Sequence, residues 1–189
     1  GIGQGYTQTT PLQLCLMTAQ IANGGYKIKP KIIVNDDPLT LEAAKNSMEL
    51  QSLQKPDTRL FNDPKNIKIV QEAMFSSTNE QFGTSYRSRI DDPKYQFAGK
   101  TGTAQVKRIS KRERELDLKL EQIPYKDRDH ALYVAYGPYK NPRYALSIIV
   151  EHGGSGSKAA APMAKELFKL IIDRDELRDK QSNFENISI

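Results

Sequence analysis

The sequence predicts an α+β fold: an antiparallel sheet with a packed C-terminal helix and a helical N-terminal part. Three observations predict it. Two proline-started helical segments come first, at Thr10-Pro11 and Asp63-Pro64. Three strand-like runs follow, two of them joined by a short turn-rich link, and an amphipathic segment closes the chain. Consecutive strands with short links pair antiparallel, and an apolar helix stripe needs a sheet face to bury it.

Thr10 offers a hydroxyl cap, and Pro11 lacks the N–H that a first helical residue has no partner for. Apolar residues from Leu12 to Ala22 carry this helix to Asn23-Gly24-Gly25, a C-terminal stop. Tyr26 to Val34 alternates β-branched residues with lysines around Pro30 and reads as a short edge strand or extended arm. Residues 36–54 hold a moderate helical pattern at Leu41, Ala44 and Met48, set off by Asp37-Pro38 and Lys55-Pro56. The second clear helix starts at Asp63-Pro64 and runs to about Ser77, with Ile67, Val70, Ala73 and Met74 on one face.

Tyr95 to Val106 reads as a strand interrupted by glycine. His130 to Tyr136 and Tyr144 to Glu151 form a β-hairpin around Gly137-Pro138-Tyr139-Lys140-Asn141-Pro142. Gly153-Gly154-Ser155-Gly156-Ser157 is a flexible connector. The last helix spans about Ala160 to Arg174, with Met163, Leu167, Leu170 and Ile171 as its stripe. The chain beyond Asp175 is polar and expected to fray.

Composition narrows the function. A hydrophobic share of 38% with 27% charged residues fits a globular domain rather than a disordered chain. The net charge of +5 would suit an anionic partner, but surplus lysines are usually a solubility feature, and no nucleic-acid partner is expected. Residues 107–129 hold eight Lys or Arg against six Asp or Glu, a mixed and solvated insertion rather than a cationic patch. The one cysteine, Cys15, lies in Leu14-Cys15-Leu16-Met17 and reads as a small buried apolar residue. His130 and His152 sit at strand ends and read as structural. With no cysteine pair and no ligand-spaced His/Asp/Glu cluster, no metal and no cofactor is expected. No apolar run reaches the ~20 residues that a membrane span needs. Gly1-Ile2-Gly3-Gln4-Gly5 reads like the middle of a longer protein.

One segment carries chemistry: Gly99-Lys100-Thr101-Gly102-Thr103. A phosphate-binding loop would need glycine five residues before Gly99, where Lys94 stands, and an apolar strand before it, where Asp91-Asp92-Pro93 stands. Read instead as a strand, the segment puts Lys100 and Gly102 on one side and Thr101 and Thr103 on the other. Gly102 clears space for another backbone alongside. A lysine and two hydroxyls at a strand edge can bind a carboxylate, and a backbone N–H there can stabilise an oxyanion.

The surrounding residues give the segment its weight. Gly3-Gln4-Gly5-Tyr6 followed by Thr10-Pro11-Leu12-Gln13 resembles the Gly-Gln-Gly…Thr-Pro-x-Gln segment of class B penicillin-binding proteins. Ala98-Gly99-Lys100-Thr101-Gly102-Thr103-Ala104-Gln105 is similar to their third active-site motif, Lys-Thr-Gly. Ala131 to Pro138 and Ala145 to Gly154 look like the next two strands and the Glu-x-Gly-Gly turn. Within the class the chain most resembles the penicillin-binding protein 2 branch of the elongation machinery.

The resemblance implies a partial penicillin-binding, serine β-lactamase-like transpeptidase fold, with residues 1–178 as the C-terminal portion of the domain and 179–189 as a polar tail. It implies a peptidoglycan D,D-transpeptidase, in which a Ser-x-x-Lys serine attacks the stem peptide and β-lactams trap that serine. Lys100 would support proton transfer. Thr101, Gly102 and Thr103 would bind substrate, the two threonines through its carboxylate, and the Thr103 N–H would supply half of an oxyanion hole. The implied partners are peptidoglycan stem peptides, β-lactam antibiotics and a membrane glycosyltransferase, at the periplasmic face of a bacterial inner membrane.

The departures matter as much. Ser155-Gly156-Ser157-Lys158 fits Ser-x-x-Lys in letters but follows Lys-Thr-Gly instead of preceding it. Ser76-Ser77-Thr78 lacks the third residue of Ser-x-Asn. Both motifs are expected upstream of Gly1, so the chain alone is expected to be inactive. The alternatives are a non-enzymatic β-lactam sensor or interaction domain of the same fold, a class D-like β-lactamase, and a nucleotide-binding protein. The Gly-Gln-Gly segment and the long insertions argue against the β-lactamase; upstream transmembrane segments with a regulatory domain would mark a sensor.

Overall fold

The computed structural model describes residues 8–30, 59–107, 116 and 118–187. The Gly3-Gln4-Gly5 segment, the arm beyond Pro30, the helical pattern at 36–54 and residues 108–115 of the charged insertion lie outside the described residues.

Helix α1 is Pro11–Ala22. Its start is a reciprocal cap: Gln13 N–H donates to Thr10 Oγ1 at 3.2 Å, and Thr10 N–H donates to Gln13 Oε1 at 2.8 Å. Its end is set by Gly24 and Gly25, both in the left-handed region at φ +88° and +92°. Tyr26 then makes one antiparallel bridge to Arg59, and the rest of the expected arm beyond Pro30 lies outside the described residues. Helix α2 is Pro64–Asn79, capped by Asp63, whose carboxylate accepts from Lys65 N–H at 2.8 Å. Ile67, Met74 and Thr78 form its buried line, whereas Val70 stands 40% exposed.

Strands β1 (Ala98–Ala104), β2 (His130–Gly137) and β3 (Tyr144–Val150) form an antiparallel sheet in that order. The hairpin register pairs Ala131 with Val150 and Gly137 with Tyr144, as the turn between them predicts. The β1–β2 register pairs Gly99 with Ala135, Thr101 with Tyr133, and Thr103 with Ala131. A five-residue π-helical turn, Gly156–Ala160, leads into helix α3, Ala161–Ile187.

The sheet separates two cores. On one face Ala131, Tyr133 and Ala135 meet Ala160, Ala161, Ala164, Phe168 and Ile172. Phe97 stacks on Phe168 there, with ring centroids 4.9 Å apart. On the other face Ala98 and Tyr136 meet Met74 of α2, with Ile21 and Ala22 of α1 packed around them.

Two sequence expectations for α3 need correction. Its buried stripe is Ala161, Ala164, Phe168 and Ile172, while Met163, Leu167 and Leu170 stand 50%, 38% and 66% exposed. The sheet face opposite is alanine-lined at Ala131 and Ala135, and the small residues of the helix fill the resulting close approach. The helix also runs past Arg174 to Ile187. After Pro162 there is no glycine or proline to stop its hydrogen-bond ladder. Asp173 ties its middle to the turn before β1, accepting from Tyr95 Oη at 2.5 Å and from Lys94 Nζ at 3.1 Å.

Candidate active site

The outer edge of β1 is built by alternation. Asn79 Nδ2 donates to Phe97 O at 2.9 Å, Thr78 Oγ1 donates to Gly99 O at 3.4 Å, and Lys100 Nζ donates to Thr101 O at 3.0 Å. Every second carbonyl therefore points away from β2, and α2 holds the first two. The same alternation brings the backbone N–H and C=O of Thr103 to that edge.

Lys100 and Gly102 lie on the Ala98 side of the strand, and Thr101 on the Gly99 side, as the period of two requires. The lysine stem nevertheless curls around the edge. Its ammonium reaches Thr101 Oγ1 at 3.4 Å, so charge and hydroxyl meet although their α-carbons face opposite ways. Lys100 is exposed. The sheet face that carries it is open enough to leave Ile149 37% exposed.

A third hydroxyl stands beside this pair. Thr84 Oγ1 is 3.3 Å from Thr101 Oγ1 and 3.2 Å from Ser77 Oγ. The turn after α2 holds Thr84 in place through Ser85 N–H, which donates to Ser77 O at 3.0 Å. Gly83 permits that turn: a β-carbon there would lie 2.3 Å from Ser77 O. Sequence reading missed Thr84 because nothing in a local pattern joins it to a strand 17 residues on.

Beneath the edge lies a buried hydroxyl cluster. Tyr133 Oη shares hydrogen bonds with Thr78 Oγ1 at 2.9 Å and Ser85 Oγ at 3.1 Å, and all three residues are at most 1% exposed. It thus joins β2, α2 and the turn after α2 directly under β1. Burial pushes the Tyr133 phenol up from its ordinary value, with its hydrogen-bond contacts to Ser85 and Thr78 opposing. Gly99 leaves the room for this phenol, since a β-carbon there would sit 2.4 Å from Tyr133 Oη.

Gly102 has a different tight neighbour. Gly156, in the turn before α3, packs on the β1–β2 backbone, and a β-carbon on it would lie 2.4 Å from Leu132 O and 2.7 Å from Gly102 O. The motif strand is thereby seated from below by a residue that the sequence marks only as part of a connector.

The other candidate groups lie elsewhere. Ser155 Oγ pairs with Ser157 Oγ at 3.0 Å, and Lys158 N–H donates to Ser155 O, which makes the Ser155–Lys158 segment a structural turn. His152, at φ +55°, donates its N–H to His130 Nδ1 at 2.9 Å, and its own Nδ1 donates to Arg128 O at 3.0 Å. Both imidazoles fasten the β3 exit. Cys15 Sγ donates to Ala145 O at 3.3 Å, and burial raises its thiol pKa, away from nucleophilic character. Among the described residues no group of His, Cys, Asp and Glu is arranged to hold a metal.

Comparison with known proteins gives the family of the chain. The penicillin binding protein transpeptidase domain model matches residues 1–169. The Peptidoglycan D,D-transpeptidase MrdA of Salmonella typhimurium is 32% identical over 174 residues, covering 92% of this chain and 26% of that protein. The MrdA protein of Acinetobacter baumannii is 37% identical over 172 residues, 88% of this chain and 23% of that protein. The chain thus spans about a quarter of the length of these curated relatives. Among solved structures, Pseudomonas aeruginosa PBP2 in complex with WCK 5153 superposes with a TM-score of 0.61 at 32% identity, over 89% of this chain and 32% of that one. Helicobacter pylori PBP2 in complex with MreC superposes at 0.60, also with 32% identity, over 89% of this chain and 26% of that one. With a pinned strand edge bearing Lys100-Thr101-Gly102-Thr103 and a family match over most of its length, the chain belongs to the penicillin-binding protein transpeptidase domain family, with PBP2-type proteins among its relatives.

Proposed function

We propose that the outer edge of β1 is one wall of a peptidoglycan D,D-transpeptidase active site whose nucleophilic serine is supplied by another part of the same protein. The observation that carries this reading is the convergence of Lys100 Nζ and Thr101 Oγ1, 3.4 Å apart, on a strand edge. An extended stem peptide would lie along that edge as an added strand. Its carboxylate would be held by the hydroxyls of Thr101 and Thr103, and Gly102 keeps the edge low between them. Lys100 would aid proton transfer to and from the serine, and the Thr103 N–H would stabilise the oxyanion of the acyl-transfer step.

In this reading the serine attacks the penultimate D-alanine carbonyl, terminal D-alanine leaves, and a neighbouring strand's amine takes the acyl group. β-Lactams would acylate the same serine. The complete protein would be anchored in a bacterial inner membrane with this domain in the periplasm, and would work with a membrane glycosyltransferase. Among the described residues no helix is long and apolar enough to cross a membrane. The Helicobacter PBP2 relative forms a complex with MreC, and a protein contact of that kind fits the same setting.

Labelling with a fluorescent penicillin tests the reading. The complete protein should carry covalent label that survives denaturation, and the 189-residue chain alone should carry none. Label on the isolated chain, or none on the complete protein, would overturn it.

A further inference from the structure

We infer that Thr84 is a positioning residue for substrate recognition: it sets the direction of the Thr101 hydroxyl proton, so that Thr101 donates to the substrate carboxylate. The inference rests on the proposed transpeptidase reading of β1 and adds a residue from outside the motif.

The argument is one of donor and acceptor counting. A threonine hydroxyl has one proton to give and two lone pairs. A carboxylate only accepts, so Thr101 is useful to it only if its proton points outward to the ligand. Lys100 Nζ, 3.4 Å away, is an ammonium and only donates, which occupies one lone pair of Thr101 Oγ1. Thr84 Oγ1, 3.3 Å away, decides what happens to the rest. If Thr101 donates to Thr84, its proton is turned inward. If Thr84 donates, both Thr101 lone pairs are engaged and its proton is left for the ligand.

The surroundings permit the second arrangement. Ser77 Oγ lies 3.2 Å from Thr84 Oγ1, so Ser77 can donate to Thr84 while Thr84 donates to Thr101. The hydroxyls then run in one sense, from Ser77 through Thr84 and Thr101 to the carboxylate, and each bond polarises the next. An approaching anion reinforces that sense. Thr84 cannot easily drift from the line, because its neighbour Ser85 is fastened to Ser77 O through both N–H and Oγ, each at 3.0 Å.

The test uses the complete protein that carries this chain, in wild-type, Thr84→Val and Thr84→Ser forms. The probes are a penicillin with its free carboxylate and the methyl ester of the same penicillin. The readout is the second-order acylation rate on each, and the ratio between them. Wild type should prefer the free acid. Thr84→Val keeps the side-chain shape and removes the hydroxyl, and should cut the acid-to-ester preference about tenfold, and Thr84→Ser should restore most of it. An unchanged preference in Thr84→Val, equal losses on acid and ester, or failure of Thr84→Ser to restore the ratio would overturn the inference. Wild type that is acylated by neither probe would instead overturn the transpeptidase reading and the inference with it. Acylation of wild type at equal rates on both would remove the carboxylate role from Thr101.

Discussion

Tyr133 Oη lies 2.9 Å from Thr78 Oγ1 in the space that Gly99 leaves open under β1. The glycine before Lys100 therefore has a packing reason: it lets a buried phenol from β2 reach α2 and the turn after it. Gly99→Ala would force a methyl to 2.4 Å from the phenol oxygen and 2.5 Å from its ring carbon. The expected cost is about 3 kcal/mol, from overpacking plus a buried phenol pushed off its hydrogen-bond partners. Tyr133→Phe should cost about 1–3 kcal/mol, because Thr78 and Ser85 lose a shared partner without any clash. Denaturant midpoints of the two variants check both the order and the size.

Gly156 makes a second prediction at the same strand. Its missing side chain lets the turn before α3 touch the backbone at Leu132 and Gly102. The neighbours are carbonyl oxygens in a paired ladder, which cannot swing aside as a flexible side chain would. Gly156→Ala should destabilise by about 1–3 kcal/mol. It should also slow penicillin acylation of the complete protein, since the displaced strand carries the motif. A variant with native stability and native acylation would show that the contact is not tight.

These two glycines mark the limit of what the sequence displays. The cap at Thr10 and Gln13, the Asp63-Pro64 start and the β2–β3 hairpin were legible because each is set by residues within a few positions. Lys100, Thr101, Gly102 and Thr103 were legible as a string, and the period of two told which faces they share. Thr84, Tyr133 and Gly156 were not, since each acts through a tertiary contact without periodicity. The α3 stripe was misread for a related reason. Hydrophobicity ranks Met163 and Leu170 above Ala161 and Ala164, while close helix–sheet approach selects the small residues.

Two buried tyrosines predict an alkaline limit to stability. Burial raises the Tyr133 phenol above its ordinary value. Tyr136 is raised further, by burial and then by the nearby Tyr139 phenol. The unfolded chain would release these protons at about pH 10, before the folded protein does. Their contribution is therefore intact below about pH 10 and is lost as pH rises toward the folded-state values. Melting temperature should fall above pH 10, and Tyr136→Phe should make that fall shallower. A slope that is the same in wild type and variant would contradict the assignment.

Asp173 predicts the opposite flank. The Tyr95 hydroxyl and then the Lys94 ammonium hold its carboxyl below the ordinary value. A depressed carboxylate supports the fold above its unfolded-state pKa and loses that support as pH falls through the folded-state pKa. The site is exposed, so the effect should be small and weakened by salt. Acid titration of Asp173→Asn against wild type should show a slightly shallower loss of stability in the variant at low salt, converging at high salt.

Lys100 separates chemistry from folding. Its side chain is exposed, and its hydrogen bonds run to Thr101 within its own strand edge, so little of the fold depends on it. Lys100→Met should change stability by no more than about 0.5 kcal/mol. The same change removes the ammonium that the proposed site uses for proton transfer and for its local field. Acylation of the complete protein should then fall by about 10²–10⁴-fold, the usual worth of a positioned acid–base group. Lys100→Arg keeps the charge but replaces a compact donor with a planar fork that does not give up its proton, so it should rescue little. Stopped-flow acylation together with thermal melting distinguishes the outcomes. If Lys100→Met retains full acylation at native stability, the edge of β1 is not where the proton moves.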